Sequence, residues 1–288
     1  MSYENALARA RRVVESETEA INPVCRTRLM VHPGPTAQSV LFFHGLTSCP
    51  RQFEPLGIIL FERGWNVYIP RMPYHGYADK MTGDLARLRK RDLIDWAAES
   101  ADIAAGLGER AVVAGLSVGG ACAAYVVQHQ AGLAGGLIIS PLLRTPAVPT
   151  RWTRIATWLF GILPNRWRWW DPVLKDARSA PDFSYPRLAT RAVAAALGLS
   201  LAVMDAAHRR ASAVKQVTLV LNENDKVVDN AAIRELHDAW IERGTNARLH
   251  VFRREAGLAH DLIGTEHPQQ RVELVYPIVL DLIEALAA

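Results

Sequence analysis

The segment from Arg110 to Ala123 constrains the fold most, because it joins a short apolar run to a small-residue helix through the pattern G-x-S-x-G. The valines and alanines before the pattern predict a buried strand. The stretch from Gly120 to Gln128 contains no helix breaker and predicts a helix. A serine at such a sharp turn adopts a strained backbone conformation that exposes its hydroxyl. Ser117 is therefore a candidate nucleophile, and capping of the helix is its structural alternative.

Apolar runs and helical patterns alternate on both sides of this segment. A surface helix over 4–20 and an edge strand over 24–32 come first. Buried strands are then predicted at 39–43, 65–69, before Ser117, and at 136–140, with helices over 52–63, 84–107 and 120–128 between them. Continuous apolar strands that alternate with helices are typical of a mostly parallel, doubly wound sheet covered on both faces. The sequence therefore predicts an α/β fold.

The alternation stops after Pro141 and resumes with a strand at 216–221, a helix over 229–243, a strand at 248–252 and a helix over 269–286. The interrupting stretch is too long for a loop inside a compact domain, so it must carry its own structure. Helices predicted over 155–163 and 191–210 make it a helical cap, inserted after the fourth parallel core strand. We predict a core of residues 1–143 and 216–288 and a cap of residues 144–215.

The predicted cap is basic and rich in tryptophan. It contains twelve Arg and Lys against four Asp, a charge of +8, and leaves −4 for the remainder of the chain. Two interpretations stay open: a lid that lines an acyl pocket and meets anionic head groups at a membrane surface, or a small aromatic core with a solvated basic face. Trp152 and Trp158 are the candidate substrate contacts. The five tryptophans of the cap are Trp152, Trp158, Trp167, Trp169 and Trp170.

Cysteine usage and the N-terminal sequence bear on the cellular compartment. Cys25, Cys49 and Cys122 have neither the number nor the spacing of a disulfide framework or a zinc site, so we expect free thiols in a reducing compartment, with Cys49 a small buried one. The polar start lacks the apolar stretch of a signal peptide, and no long uncharged stretch suggests a bilayer span. A cytoplasmic protein is expected. No nucleic-acid-binding motif accompanies the basic charge, so no nucleic-acid partner is expected.

Three side chains follow predicted strands in the chain order Ser117, Asp225, His260. Catalytic groups of parallel sheets gather at the carboxyl ends of the strands, because crevices open at that edge. A serine hydroxyl becomes an effective nucleophile when a histidine takes its proton and a carboxylate fixes the tautomer of that histidine. The order and placement favour a triad of nucleophile, acid and base.

Each partner of the serine has a rival in the sequence. Asp229 is close to Asp225 but occupies a position that suits a helix N-cap, and Asp205 lies in a predicted cap helix. His267 precedes a proline and suits the start of a helix, whereas His260 follows small residues in a loop. Asp225 and His260 are the favoured pair.

Four motifs together resemble the α/β-hydrolase superfamily: His44-Gly45 after the first core strand, G-L-S-V-G-G around Ser117, N-E-N-D-K-V-V around Asp225 and G-L-A-H-D-L around His260. More closely, they resemble its carboxylesterase and monoacylglycerol-lipase-type serine hydrolases, over about residues 38 to 285. The resemblance implies that Ser117, Asp225 and His260 form the catalytic triad. It also implies that neither a metal ion nor an organic cofactor is needed.

The resemblance further implies an oxyanion hole built from the backbone N–H groups of Val118 and Leu46. Val118 begins a predicted helix, whose dipole favours negative charge at that end. His44 is expected to shape the loop that contains Leu46 and is a candidate for substrate contact. His75 is expected to be a structural turn residue.

The main hypothesis is a hydrolase of small, possibly lipid-like carboxylic esters that acts through an acyl-enzyme on Ser117. Amide, thioester and C–C bonds are alternatives, because a fold does not select its chemistry. A second hypothesis is a non-catalytic protein that docks to a membrane or a partner through the basic, tryptophan-rich cap.

Overall fold

The computed structural model describes residues 1–177 and 180–288, and its centre is a seven-stranded sheet. The strand order is β1-β3-β2-β4-β5-β8-β9, and every neighbouring pair is parallel except the edge strand β1, which runs antiparallel to β3. The strands of the sheet are β1 (Arg28–Met30), β2 (Thr36–Phe43), β3 (Asn66–Ile69), β4 (Gly108–Leu116), β5 (Gly135–Ile139), β8 (Gln216–Asn222) and β9 (Asn246–Phe252).

Both faces of the sheet are buried, because successive strand residues point to opposite sides and are apolar on each. In β2, Leu41 and Phe43 belong to one core cluster, whereas Val40 and Phe42 belong to the other. Helices α2 (Glu54–Glu62) and α8 (Val272–Ala287) cover the second cluster. The first is covered by α1 (Tyr3–Glu15), α3 (Lys90–Leu107), α4 (Val118–His129), α6 (Thr190–Ala207) and α7 (Asn230–Glu242).

The segment between β5 and β8 contains α5 (Thr153–Ile162), a hairpin of β6 (Trp167–Trp169) and β7 (Arg187–Ala189), and α6. Helix α5 buries only Thr153, whereas α6 buries eleven residues and shares the core of α3 and α4. The predicted cap of residues 144–215 includes positions 178 and 179, which lie outside the described residues. Within the described part, α5 is largely exposed, whereas α6 packs into the core.

The α/β-hydrolase fold expected from the sequence is confirmed, with differences inside single elements. The helix predicted over 84–107 is interrupted, because Leu88 and Arg89 adopt extended conformations. The N–H of Arg89 donates to a carboxylate oxygen of Asp92 at 2.9 Å and thereby fixes the start of α3 at Lys90. The hairpin β6–β7 is absent from the sequence prediction, because strands of three residues carry too little periodicity.

Helix α6 is long and apolar enough by length and composition to cross a bilayer, although it contains Arg191 and Asp205 and is therefore not an uncharged stretch. Among the described residues it is one helix that meets this criterion of length and composition. However, 61% of its most apolar window is buried inside the protein. Burial of this extent is typical of the core helix of a globular domain, and α6 packs as one.

The expectation of free thiols is wrong for two of the three cysteines. Cys25 and Cys49 form a disulfide, and Cys122 is a buried free thiol. The bond joins the segment before β1 to the loop after β2, and Phe183 of the cap segment packs against it. Since the number of cysteines does not reveal which of them meet in space, the sequence could not indicate this pairing. The cysteines therefore give no support for a reducing compartment.

Removal of the disulfide should destabilise the fold in oxidising buffer. Closing a loop of 24 residues contributes about 3 kcal/mol in the chain-entropy description. The double variant Cys25→Ala and Cys49→Ala should lower the free energy of unfolding in urea by about that amount. In reducing buffer the wild type should approach the variant, and equal stabilities in oxidising buffer would contradict the prediction.

Candidate active site

Ser117 occupies the turn between β4 and α4 in a conformation that few residues adopt. Its φ of 59° and ψ of −117° are strained for a residue with a side chain. The turn is fixed from both sides, since the N–H of Ser117 donates to Ile139 O and its carbonyl accepts from Ala121 and Leu142. The side chain of Ser117 forms no capping hydrogen bond to α4, so the capping alternative does not apply.

Two glycines allow this turn to pack against neighbouring backbone. A Cβ on Gly119 would lie 2.0 Å from the carbonyl oxygen of Phe43 in β2, and one on Gly115 would lie 2.2 Å from Gly119 O. No side chain fits at either distance. The glycines of the G-x-S-x-G pattern therefore bring the turn directly against the end of β2.

Asp225 and His260 are joined by a hydrogen bond of 2.7 Å between Oδ2 and Nδ1. The Asp225 side chain is fully buried, whereas that of His260 is 20% exposed. The other oxygen of Asp225 accepts the N–H groups of Val227 and Val228 at 2.9 and 3.2 Å. Burial alone would raise the pKa of Asp225, but the hydrogen bond and charge of His260 together with these N–H groups outweigh it and lower the pKa. The carboxylate is thus ionised at neutral pH.

Asn222, the last residue of β8, holds the segment that leads to His260. Its side-chain Nδ2 donates to Leu258 O at 3.1 Å and to Ala259 O at 2.9 Å, and the residue is fully buried. The strand that precedes Asp225 therefore also fixes the approach of His260. Since β8 is separated from β4 by β5 alone, the pair lies at the same sheet edge as the turn at Ser117.

The proposed oxyanion donors belong to two adjacent segments. Val118 is the first residue of α4, and the first N–H groups of a helix lack partners within it. Leu46 lies in the loop after β2, where a Cβ on Gly45 would be 3.7 Å from that of Ser117. This loop, residues 44–49, therefore packs against the turn at Ser117, and we refer to it as the oxyanion loop.

His44 is placed to support the oxyanion loop and not to touch a substrate. Its ring is fully buried, Nε2 accepts the N–H of Met72 at 3.0 Å, and Nδ1 lies 3.0 Å from Gly45 O. Nδ1 therefore carries the proton and donates it. Burial, and then the neighbouring His75, hold the pKa of His44 well below its usual value. In this conformation the buried ring of His44 cannot make the substrate contact expected from the sequence.

The segment predicted as a cap touches the oxyanion loop at Thr47. The indole Nε1 of Trp170 donates to Thr47 Oγ1 at 2.9 Å, and the N–H of Tyr185 donates to Thr47 O at 2.8 Å. The two tryptophans expected to contact substrate lie on the outside of the predicted cap segment, with Trp152 48% and Trp158 62% exposed. These two are therefore not part of a cap core.

The rival residues have other partners. Asp229 caps α7 by accepting the N–H of Ala231 at 2.9 Å, and Asp205 pairs with Arg154 on the cap. His267 accepts the N–H of Gln269 at 3.2 Å in a turn. It does not start a helix as expected, because α8 begins only at Val272. In the described part of the chain, no cluster of three or more His, Cys, Asp or Glu side chains is arranged to hold a metal ion.

Comparison with known proteins identifies the family. The alpha/beta hydrolase family profile matches residues 40–274. The chain belongs to the α/β hydrolase family. A thermostable monoacylglycerol lipase from Bacillus sp. (strain H-257) is 29% identical over 114 residues, which are 38% of this hydrolase and 42% of that protein. The match therefore spans less than half the length of this relative.

Two solved structures share the fold of this α/β hydrolase over most of its length. A soluble variant of the monoglyceride lipase from Saccharomyces cerevisiae has a TM-score of 0.70 at 13% identity and covers 91% of this chain and 90% of its own. The monoacylglycerol lipase from Paleococcus ferrophilus has a TM-score of 0.66 at 20% identity and covers 91% of this chain and 97% of its own. At these identities the likeness concerns the fold.

Several residues around the site were missed by sequence reasoning. Thr47 and Trp170 carried no recognisable pattern, because their contact joins positions that are far apart in the chain. Asn222 is the first residue of the N-E-N-D motif. An asparagine at the end of a predicted buried strand could have indicated that its side chain supports a neighbouring loop. Gln52 was placed only within a predicted helix, and Asp261 only as the neighbour of His260.

Acid should destabilise this hydrolase through its buried histidines. Burial lowers the pKa of His75 from 6.5 to about 4, so the unfolded chain binds more protons between these pH values. The contribution of His75 is complete above pH 6.5 and is lost as the pH falls toward 4, at about 1 kcal/mol per pH unit. His75→Phe, which keeps the stacking on Tyr185, should flatten the dependence of unfolding free energy on pH. An unchanged slope would contradict this.

Proposed function

We propose that this α/β hydrolase cleaves carboxylic esters through a catalytic triad of Ser117, His260 and Asp225. The observation that carries the proposal is the 2.7 Å bond between His260 and Asp225, at the sheet edge where Ser117 occupies a strained turn. A buried ionised carboxylate on Nδ1 selects the tautomer in which Nε2 is free to take a proton. A structural histidine would not require that arrangement.

In the proposed first step, Ser117 Oγ attacks the ester carbonyl carbon while His260 Nε2 takes the hydroxyl proton. The charge on the imidazolium is stabilised by Asp225. The carbonyl oxygen becomes an oxyanion that accepts hydrogen bonds from the N–H groups of Val118 and Leu46. Removing one donor of this kind typically costs about 2.7–4 kcal/mol of transition-state stabilisation.

The intermediate then collapses to an acyl-enzyme. The C–O bond of the ester breaks, and His260 returns its proton to the departing alcohol. In the second half, His260 takes a proton from water, the resulting hydroxide attacks the acyl carbon, and Ser117 leaves with the proton restored. No step requires a metal ion or an organic cofactor.

A lipid-like ester is the substrate class that the molecule supports best. The similarity to monoacylglycerol lipases agrees with a second observation on the cap. Of the fifteen exposed large apolar side chains on the described chain, nine lie within residues 152–174. They are Trp152, Ile155, Trp158, Leu159, Ile162, Leu163, Trp170, Val173 and Leu174.

We name these nine side chains the apolar cap face and propose that it contacts lipid surfaces. A concentration of exposed apolar side chains in one short segment is typical of a surface that contacts a partner or a membrane. Arg151, Arg166 and Arg168 are exposed beside the apolar cap face, and their charge complements anionic head groups. A non-catalytic protein that only docks to membranes would use the same face, so catalysis has to be tested separately.

The triad should be tested with a fluorophosphonate and with a series of p-nitrophenyl esters of graded chain length. Wild-type protein should be labelled, whereas Ser117→Ala should not. Asp225→Asn should lower kcat by roughly 10⁴-fold, because His260 then presents the wrong tautomer. Asp229→Asn is the matched control and should retain near wild-type kcat. Folded wild type that neither reacts with the probe nor cleaves any ester of the series would favour the non-catalytic alternative.

Lipid contact should be measured by co-sedimentation with anionic vesicles. Trp158→Ser combined with Ile162→Ser should weaken binding at least about tenfold, because each side chain contributes about 1.5–3 kcal/mol when fully buried. The matched control is Ile58→Ser with Ile241→Ser, which removes side chains that are 42% and 48% exposed outside the cap. Binding of the wild type should also weaken as salt rises. Equal loss in both double variants would contradict a role specific to the apolar cap face.

A further inference from the structure

The side chain of Gln52 joins the oxyanion loop to the loop that contains His260. Its Oε1 accepts the N–H of Gly45 at 2.8 Å, and its Nε2 donates to Asp261 Oδ2 at 2.8 Å. Gln52 is 4% exposed, so water competes little for these bonds. One buried carboxamide therefore spans two segments that are far apart in sequence.

Both ends of this bridge are fixed. The second oxygen of Asp261 accepts the N–H groups of Ile263 and Gly264 at 3.1 and 2.8 Å, so the carboxylate cannot rotate without breaking three bonds. Asp261 directly follows His260. At the other end, Gly45 precedes Leu46 and packs against Ser117. Movement of either loop is thereby transmitted to the other.

The chemistry of the bridge specifies glutamine at position 52. The Gly45 N–H needs an acceptor, whereas the Asp261 carboxylate needs a donor. A carboxamide supplies one of each, and a carboxylate of the same length supplies only acceptors. A bridge that only filled space would have no such requirement.

We propose that Gln52 and Asp261 are positioning residues that hold the oxyanion loop and His260 in register around Ser117. The inference rests on the proposed function, because it assigns the donor to Leu46 and the base to His260. Oxyanion donors act at 2.7–3.1 Å from the developing charge, and a misplacement of about 1 Å reduces rates by about 100-fold. Loss of the bridge therefore affects the chemical step more than substrate binding.

The test is a donor–acceptor exchange across the bridge, with kcat and KM measured on a p-nitrophenyl ester. Gln52→Glu places two carboxylates face to face. Asp261→Asn places two NH₂ groups face to face, because the amide oxygen stays on the N–H groups of Ile263 and Gly264. Each single variant should lower kcat by about 10- to 100-fold, with KM within about twofold. The double variant should recover kcat. The carboxylate introduced at position 52 accepts the N–H of Gly45 with one oxygen, and its other oxygen accepts a hydrogen bond from the amide introduced at position 261.

The matched control is Glu266→Gln. Arg51, the neighbour of Gln52, pairs with Glu266 beyond His260 at 2.7 Å, but their side chains are 37% and 39% exposed, and such surface pairs contribute little. This variant should keep the kcat of the wild type. Thermal unfolding of every variant, followed in parallel, shows that kcat is measured on folded protein.

Three results would overturn the inference: folded single variants with wild-type kcat, a folded double variant without recovery, or equal losses in the Glu266→Gln control. A wild type that cleaves no ester and reacts with no fluorophosphonate would instead refute the proposed function. Protection of the Gly45 amide against hydrogen exchange gives a readout that needs no activity. It should fall in Gln52→Glu and in Asp261→Asn, because repulsion across the broken contact displaces side chain 52 from Gly45, and it should recover in the double variant.

Discussion

The close approach of the turn at Ser117 to the end of β2 is the constraint on which the site depends. Only glycine fits at 115 and 119, where a Cβ would lie 2.2 Å and 2.0 Å from backbone atoms. This contact forces Ser117 into a conformation with φ of 59° and brings the oxyanion loop beside it. The strain is tolerated because buried neighbouring strands, a hydrogen bond to Ile139 of β5 and one from Leu142 hold the turn in place.

The groups proposed to act on Ser117 come from separate loops and need separate support. Asn222 holds the segment before His260, Val227 and Val228 orient Asp225, and Gln52 ties the oxyanion loop to the residue after His260. Each of these supports is a buried or partly buried hydrogen bond with a directional requirement. The geometry of the site is therefore set by polar contacts beneath it, whereas the apolar core sets only the sheet.

The fold was predictable because its signals are local. Strands of the parallel sheet are continuous apolar runs, and the G-x-S-x-G turn marks where one strand passes into a helix. The order of Ser117, Asp225 and His260 was likewise visible, and the favoured pair Asp225 and His260 is joined by a hydrogen bond in the structure.

The features that the sequence did not reveal depend on contacts between distant positions. The disulfide of Cys25 with Cys49, the bond of Trp170 to Thr47 and the bridge through Gln52 each link segments that have no shared pattern. The outward position of Trp152 and Trp158 was also undecided, because an aromatic residue in a short helix suits a core and a surface contact equally. These features could be assigned only once the structure showed which residues are in contact.

The central claim is that the hydroxyl, the imidazole and the two backbone donors converge on one reacting carbonyl. It is tested most directly by a crystal structure of the protein after reaction with a fluorophosphonate. The account predicts a covalent bond at Ser117 Oγ, a phosphoryl oxygen about 2.7–3.1 Å from the N atoms of Leu46 and Val118, and His260 Nε2 within hydrogen-bond distance of the modified oxygen. An adduct on another residue, or a phosphoryl oxygen directed away from both N–H groups, would contradict it.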